Sequence, residues 1–299
     1  MRNTLSKLRD PNAQLTSRQA AFTLGLSALM FGSAGTAAHL GMDGASPLAI
    51  SSTRLTLGGL FLMSWVILSQ HSTSSLRTAL RDRRTWYLAL SLSFFQPAYF
   101  LSIQQAGVAL GTMVAIGGVT LFTALAGAFI GHKVTRVWLV STSMCLVGLG
   151  LISFKDASTG DYQGIMYGVI AGIAGAGFTL STKSILDDHI APIPPTSIGL
   201  TASGLIVGIV TRPSFDFLTT GHGILAAIYL GIVVTSFGNI LWARGLGNLA
   251  PGPTTTLMLA EPAFATLLGV VLLKEGLTGQ ATFGIILLFA GLALQGIRG

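Results

Sequence analysis

The sequence contains one cysteine, Cys145, and lacks the short motifs that mark the common catalytic sites. A single cysteine cannot form a disulfide within the chain, and its apolar surroundings are typical of a small buried side chain. No HExxH, GxSxG, Walker or CxxC pattern occurs, so zinc peptidase, serine hydrolase and ATP-driven transport chemistry lack their characteristic residues. We therefore predict a protein that is not an enzyme and that holds no cofactor and no metal ion.

The sequence also contains few charged residues. Charged residues make up 9% of the 299 residues, whereas hydrophobic residues make up 51%. A typical soluble domain carries about 25% charged residues. Long apolar stretches, such as 139–154 and 281–294, recur along the chain, and a helix that spans a bilayer needs about 20 mostly apolar residues. The composition argues against an ordinary soluble domain and predicts an all-α integral membrane protein in contact with the lipid bilayer.

Hydropathy and turn residues predict ten transmembrane helices. They are placed at 20–40, 47–69, 85–104, 108–131, 136–154, 163–182, 193–211, 222–244, 252–273 and 279–297. The connection between predicted helices 3 and 4 is so short that the two helices should form a tight hairpin.

The basic residues predict the orientation, because lysine and arginine concentrate in cytoplasmic segments. With the N-terminus inside, most of the 17 basic residues fall in the tail and the inside loops. Outside segments hold Lys155, Arg212 and Lys274. We therefore predict a multi-pass protein of the bacterial inner membrane with both termini cytoplasmic. This distribution also accounts for the pI of about 10.0 without a nucleic-acid partner.

An internal repeat appears when the chain is aligned with itself at an offset of about 144 residues. The matching pairs include Gly25 with Gly168, Gly32 with Gly175, Pro47 with Pro192, Thr135 with Thr278 and Gly148 with Gly291. Each half holds five predicted helices, and an odd number means that the second half enters the membrane from the opposite side. The prediction is therefore two inverted five-helix repeats, an arrangement that transporters use to build a midplane site.

The repeat also predicts the division of the chain. We expect a cytoplasmic tail at 1–19, a first repeat at 20–154, a linker at 155–162 and a second repeat at 163–299. A cleavable signal peptide is the alternative for the N-terminal segment. Its removal would delete the first helix of the first repeat, so we expect the helix to be retained.

Three stretches carry a resemblance to a known family. They are SPLAISSTRLTLGGLFL from Ser46, the segment Leu249-Ala250-Pro251, and EPAFATLLGVVLLKEGLTGQATFGIILLFAGLAL from Glu261. These stretches resemble the drug/metabolite transporter superfamily, in its EamA-like branch of ten helices, and the resemblance covers nearly the full chain. The first half departs from the pattern, because Gly118 stands at the position equivalent to Glu261 and His132 at that of Glu275. The two halves are therefore not chemically equivalent.

The resemblance implies a secondary transporter whose helices 1, 3, 4, 6, 8 and 9 surround a central site. Within the family the chain is similar to bacterial amino-acid exporters, so we expect it to export small metabolites, amino acids above all, by alternating access. The alternatives are a proton-coupled exporter of lipophilic cations or other drugs and, with less support, a membrane-embedded enzyme. The expected partner is a small-molecule substrate, and the expected assembly is a monomer or a weak dimer.

Two charged residues, Glu261 and Arg54, lie inside predicted spans. A charge at mid-bilayer costs about 2.5–3.5 kcal/mol on insertion scales, so such a group faces a cavity, forms a pair or becomes neutral. For Glu261 the alternatives are a site that couples protons or binds a substrate amine, and a structural group that is hydrogen-bonded near the start of helix 9 or bonds the backbone groups freed by Pro262. For Arg54 they are anchoring toward the lipid surface, pairing with an acid, and binding a substrate carboxylate.

Amide and aromatic residues at equivalent positions of helices 3 and 8 are the candidate substrate-binding residues, since small amphipathic solutes need a few polar groups on apolar walls. Two further candidates follow the glycine-rich stretch of helix 6. The set is Gln96, Tyr99, Asn239 and Trp242 with Phe178 and Ser181. The alternative for this set is helix–helix hydrogen bonding and aromatic anchoring at the membrane interface.

Overall fold

In the computed structural model, the structure describes residues 15–42, 44–68, 73–129, 135–153, 162–274, 276 and 278–298, and none of these residues forms a strand. The helices are α1 Ser17–Gly41, α2 Pro47–Leu68, α3 Thr73–Arg81, α4 Arg83–Phe129, α5 Arg136–Ser153, α6 Tyr162–Asp187, α7 Ile193–Thr211, α8 Gly221–Asn248, α9 Pro251–Leu272 and α10 Gly279–Arg298. A short 3₁₀ helix, Asp216–Thr219, precedes α8.

Within the described residues, eight helices are long and apolar enough to cross a membrane. A shorter apolar helix covers Arg136–Ile152. Large apolar side chains are exposed on the outside of the bundle, as lipid contact requires, for example Phe22, Leu68 and Phe129. The all-α membrane class predicted from composition is confirmed.

The hairpin predicted between helices 3 and 4 is present inside α4. Gly107 has φ 83° and ψ 160°, which breaks the helix into an arm at 83–106, here α4a, and an arm at 108–129, here α4b. Only glycine adopts this φ without strain. The Ser102 hydroxyl donates to the Gly111 carbonyl at 3.4 Å and to the Gly164 carbonyl at 2.8 Å, so the hairpin packs directly against α6.

The loop predicted between helices 2 and 3 is partly wrong, because it contains the helix α3. This helix has nine residues, which is too short to cross a membrane. Its apolar residues Leu76 and Ala79 pack against Val66 of α2 and Ile198 of α7. Prediction from membrane-spanning length missed α3 because a nine-residue helix with a basic face resembles a polar loop.

Most of the described basic residues lie at one end of the bundle, here called the basic end. The Leu15 amide donates to Asn248 Oδ1 at 2.8 Å, which joins the start of α1 to the end of α8. Lys183 Nζ donates to the Leu246 carbonyl at 3.1 Å, which joins the end of α6 to the end of α8. The basic residues near these ends are Arg18, Arg77, Arg81, Arg83, Arg84, Lys183 and Arg244.

An ion-pair network centred on Arg84 closes the basic end between α4a and α6. Arg84 donates to Asp82 at 2.8 Å, to Asp188 at 2.5 Å and to the Ser184 carbonyl at 2.9 Å. The hydrogen bonds from the Arg84 guanidinium hold the pKa of the Asp82 carboxyl below its ordinary value. Asp82 is therefore ionised at neutral pH, and its contribution to stability is lost only as the pH falls through that lowered pKa.

Glycines allow α2 and α7 to pack with their backbones in close contact. A β carbon added at Gly59 would lie 2.8 Å from the Ser197 carbonyl oxygen of α7. A β carbon added at Gly204 of α7 would lie 2.9 Å from the Ser52 carbonyl oxygen of α2. Small residues at such crossings are typical of membrane helix pairs, which associate by close packing.

Helices α5 and α10 also pack with their backbones in close contact at glycines. A β carbon at Gly148 would lie 2.6 Å from the Gly284 carbonyl oxygen, and one at Gly284 would lie 2.7 Å from the Gly148 carbonyl oxygen. Further along α10, a β carbon at Gly291 would lie 2.7 Å from the Ser141 carbonyl oxygen. The two helices therefore approach as closely as glycine permits at two points.

We expect Gly148→Ala to destabilise the protein by about 1–3 kcal/mol, because the added methyl group overpacks the crossing of α5 and α10. The matched control is Gly150→Ala on the same helix, where the nearest atom to a β carbon is Met113 Sδ at 3.6 Å. Thermal unfolding midpoints in detergent measure the difference. An equal midpoint for the two variants would show that the crossing of α5 and α10 relaxes without cost.

Candidate functional site

Two adjoining cavities lie inside the helix bundle. The large cavity has a volume of about 780 Å³ and the small cavity about 180 Å³. The large cavity extends to the end of the bundle opposite the basic end, where Pro47 and Thr278 contribute to its wall. The two cavities share five lining residues, Phe31, Arg54, Tyr99, Ile116 and Glu261. The shared wall makes them one continuous candidate site.

Arg54 reaches the cavities from α2. It lies two turns into the helix, with Ser51 one turn earlier on the same face, and it is partly exposed within the protein. Because Arg54 lines both cavities, its position favours pairing or ligand binding over anchoring in the lipid. The resemblance implied a site formed by helices 1, 3, 4, 6, 8 and 9, and helix α2 adds the cationic group to it.

Glu261 reaches the same wall from α9, at a break in that helix. The helix ends its first segment at Met258 and resumes at Ala260, with Leu259 between the two, so Glu261 lies in the first turn of the second segment. Gly32 of α1 lies directly against the Glu261 carbonyl, where an added β carbon would be 2.7 Å from the oxygen. The close packing of α1 on α9 therefore sets the position of Glu261.

The carboxylate of Glu261 has no hydrogen-bond partner among the described residues. The structural alternative for this residue required such a partner near the start of helix 9, so the free carboxylate favours a functional role. Glu261 and Arg54 interact electrostatically. They are not among the ion pairs within 4.0 Å in the described part of the chain, so each keeps its hydrogen-bonding groups available.

Two amides lie in the wall of the small cavity, each fixed by one hydrogen bond. Gln96 of α4a accepts from the Ser51 hydroxyl at 3.1 Å. Asn239 of α8 donates through Nδ2 to the Thr235 carbonyl at 2.7 Å. Each side chain retains unused donors or acceptors, so both can bind a polar group in the cavity.

A π-helical segment, Tyr229–Phe237, precedes Asn239 in α8. The hydroxyls of Thr235 and Ser236 donate to carbonyls five residues earlier, at 2.8 and 3.0 Å. Segments of this kind occur often at functional sites, because the extra residue per turn rotates the following side chains. Here the following side chains include Asn239 and Trp242, which line the small cavity.

Aromatic rings form part of the small cavity's wall. Phe178 and Trp242 stack with ring centroids 4.7 Å apart and an interplanar angle of 15°. Phe95 and Tyr99 stack at 5.8 Å, and the Tyr99 hydroxyl lies 3.5 Å from Thr112 Oγ1. These faces suit an apolar or aromatic group of a bound solute.

The structure brings together all but one of the eight predicted site residues. Gln96, Phe178, Asn239 and Trp242 line the small cavity, and Tyr99, Arg54 and Glu261 line both cavities. Ser181, one turn beyond Phe178 on α6, lies outside the lining of either cavity. The roles of all eight residues remain predictions, and that of Ser181 has no support from the cavity lining.

The sequence analysis did not predict several of the residues that line the cavities. Ser51 and Thr235 are the hydrogen-bond partners of the two amides, and Phe31 and Phe95 complete the aromatic wall. Ser51 was detectable in principle, since it precedes Arg54 by one helical turn and so shares its face. Thr235 was detectable in the same way, since it precedes Asn239 by four residues, which is one helical turn.

A bundle of apolar helices around an internal cavity lined by one arginine and one glutamate has the architecture of a polytopic membrane transporter. The chain belongs to the EamA-like transporter family, whose model matches residues 19–154 and again residues 162–296. The predicted resemblance is confirmed. The relatives found by comparison are likewise named as transporters rather than as enzymes.

Two relatives and one solved structure illustrate the range of similarity. A Bacillus subtilis (strain 168) protein named uncharacterized transporter YwfM is 28% identical over 276 residues, which cover 89% of this chain and 90% of the relative. A Salmonella typhimurium (strain LT2) protein named "Probable amino-acid metabolite efflux pump" is 26% identical over 224 residues, which cover 69% of this chain and 74% of the relative. A crystal structure at 19% identity has a TM-score of 0.80 and covers 94% of this chain and 100% of its own, which shows a shared fold.

Proposed function

We propose that this chain is a bacterial inner-membrane secondary transporter that exports small metabolites, amino acids above all, by alternating access. The observation that carries the proposal is the internal cavity, which bears Arg54 and Glu261, extends to one end of the bundle and is closed by contacts at the basic end. The relative named as an amino-acid metabolite efflux pump supports the substrate class. The basic end is cytoplasmic in this proposal, as the positive-inside rule requires.

The ten crossings of the proposal are α1, α2, α4a, α4b and α5 to α10, arranged as two inverted five-helix repeats. Reciprocal contacts support this arrangement. Gly59 meets Ser197 while Gly204 meets Ser52, and residues about 145 positions apart exchange partners in this way when a twofold axis relates two repeats. The crossing of α5 and α10 shows the same exchange. Gly148 contacts Gly284, and Gly291, which is equivalent to Gly148, contacts Ser141, which is equivalent to Gly284.

The two matches of the family model support the proposed division of the chain. The matches cover 19–154 and 162–296, and the proposed repeats are 20–154 and 163–299, with a tail at 1–19 and a linker at 155–162. In alternating access, the two repeats exchange conformations, so that the cavity opens to each side in turn. The conformation described here would be the one open away from the cytoplasm.

If the cavity is to open toward the cytoplasm, the contacts of the Arg84 network must break. We expect Arg84→Gln to shift the population toward the form open at the basic end by about 1 kcal/mol, roughly fivefold, since partly exposed ion pairs contribute on that scale. Spin labels on Thr78→Cys and His189→Cys, in a Cys145→Ser background, would report longer distances between α3 and the turn after α6.

The matched control for this prediction is Arg77→Gln, which removes an exposed basic residue of the same end from α3. Its distance distribution should equal that of the parent. The prediction would be wrong if Arg84→Gln and Arg77→Gln gave the same distribution, because the network would then not hold the basic end closed.

A second candidate function is the proton-coupled export of lipophilic cations. The free carboxylate of Glu261 and the stacked rings of Phe178 and Trp242 favour it, since aromatic faces and an acid attract cations. Arg54 in the same wall disfavours it, because the guanidinium repels a second cation in a cavity of low dielectric.

Flux in proteoliposomes tests both functions. Labelled threonine, methionine and phenylalanine would be followed alongside tetraphenylphosphonium, with and without an imposed pH gradient. Protein-dependent flux of amino acids supports the main proposal, and its dependence on the gradient reports whether protons are coupled. Flux of the lipophilic cation without flux of any amino acid would replace the main proposal with the second.

A further inference from the structure

The cavity wall contains one basic and one acidic residue, and the two do not form an ion pair with each other. Among the described residues that line the two cavities, Arg54 and Glu261 are the charged ones. No ion pair within 4.0 Å joins them in the described part of the chain, so neither side chain is occupied by direct contact with the other. A separated cation and anion in one cavity together form a receptor with zero net charge.

The chemistry of a fitting ligand follows from this separation. A monocation would satisfy Glu261 and leave the Arg54 guanidinium facing a like charge, and a monoanion would do the reverse. A charge left unpaired in a place of low dielectric is costly. A ligand that carries one carboxylate and one ammonium group satisfies both residues at once, with charge-assisted hydrogen bonds at each end.

The small cavity extends the site beyond the two charges. It begins at the shared wall formed by Arg54, Tyr99 and Glu261, and it continues between apolar and aromatic side chains that include Phe178 and Trp242. The polar groups in its wall, such as Gln96 and Asn239, are uncharged. An uncharged side chain of a bound solute fits this volume, whereas a second ionised group would meet no counter-charge there.

We propose that Arg54 and Glu261 form a zwitterion-binding site, in which Arg54 binds the carboxylate and Glu261 the ammonium of a free amino acid, while its uncharged side chain occupies the small cavity. This inference rests on the proposed transport function and adds which residue binds each charged group of the substrate. It assigns Arg54 a role in substrate selection, and it excludes esters, amides and N-acylated derivatives of amino acids as good substrates.

Binding of charge-modified ligands to the purified full-length protein tests the site without any mutation. The probes are threonine, methionine and phenylalanine, the methyl ester of each, which is a cation, and the N-acetyl derivative of each, which is an anion. We expect the free amino acid that binds best to bind at least about tenfold more tightly than its ester and its N-acetyl derivative, because each derivative loses one charge-assisted interaction. Isothermal titration calorimetry measures the affinities.

Two variants then assign each charge to its end of the ligand. Arg54→Gln should weaken binding of the free amino acid about tenfold and leave the affinity for the methyl ester unchanged or raised. Glu261→Gln should show the opposite preference, with binding of the N-acetyl derivative unchanged or raised. The controls are Arg18→Gln and Asp216→Asn, two exposed charges outside the cavities, which should alter none of the affinities.

The outcomes separate this inference from the function on which it rests. If esters or N-acetyl derivatives bind and cross the membrane as well as free amino acids do, the zwitterion site is wrong and amino-acid transport stands. If the protein neither binds nor transports any free amino acid while it moves tetraphenylphosphonium, both are wrong. Equal ligand preferences in the two cavity variants would also overturn the site, because the charges would then not face opposite ends of the ligand.

Discussion

Charge reversal by Arg54→Glu is expected to reduce amino-acid flux by at least about 100-fold. The variant places two carboxylates in one cavity wall, where they repel each other and the carboxylate of the substrate. Leaving a buried charge without its partner costs about 3–5 kcal/mol, and each 1.4 kcal/mol corresponds to a factor of about ten in affinity. Initial rates of uptake of labelled amino acid into proteoliposomes measure the effect.

The control for this variant is Arg18→Glu, which makes the same change in net charge at the exposed start of α1. Size-exclusion chromatography should show that both variants are folded and monodisperse before flux is compared. Transport by Arg54→Glu at more than a tenth of the parental rate would contradict the role of Arg54, since a reversed charge in a binding site cannot be neutral.

A valine at Gly32 is expected to reduce transport by more than about tenfold, because overpacking by about 1–3 kcal/mol must displace α9 or distort α1. A β carbon at this position would lie 2.7 Å from the Glu261 carbonyl oxygen, 2.9 Å from Phe264 Cβ and 3.0 Å from the Ala265 amide nitrogen. These atoms belong to the segment of α9 that carries Glu261. The thermal unfolding midpoint and the flux should fall together.

Gly25→Val provides the matched control, since Gly25 lies on the same helix and has no atom within 4 Å of an added β carbon. This variant should keep parental flux and stability. A Gly32→Val protein that transports like Gly25→Val would mean that α1 and α9 separate easily, and that the position of Glu261 does not depend on their contact.

Much of the fold could be predicted because the bilayer constrains helix length and composition. The run from Pro47 to Leu68 and the run from Ile193 to Thr211 were placed within one residue of their observed bounds. Proline at the start of each helix and polar residues after its end marked the limits. The bounds of α6 and α8 were less accurate, because their helices continue past the bilayer core at the basic end.

The prediction from the sequence missed two irregular segments of backbone. The π-helical segment Tyr229–Phe237 of α8 occurs in an apolar stretch that reads as ordinary helix. The interruption of α9 at Leu259 does have a mark, since Pro262 has no amide hydrogen to donate to the Met258 carbonyl one turn earlier. Both irregular segments adjoin the candidate site, so their backbone geometry affects where the site residues lie.

The sequence by itself determined the membrane class, the family and the two charged residues that lie within apolar spans. A carboxylate or a guanidinium within an apolar span is costly, and this cost makes Glu261 and Arg54 visible without a structure. Only the tertiary structure decided that the two residues line the same two cavities, that no ion pair within 4.0 Å joins them in the described part of the chain, and that Ser181 lies outside the lining of both cavities. The physical reason is that a cavity is formed between helices distant in sequence, and its lining depends on how each helix is rotated and broken where it meets the others.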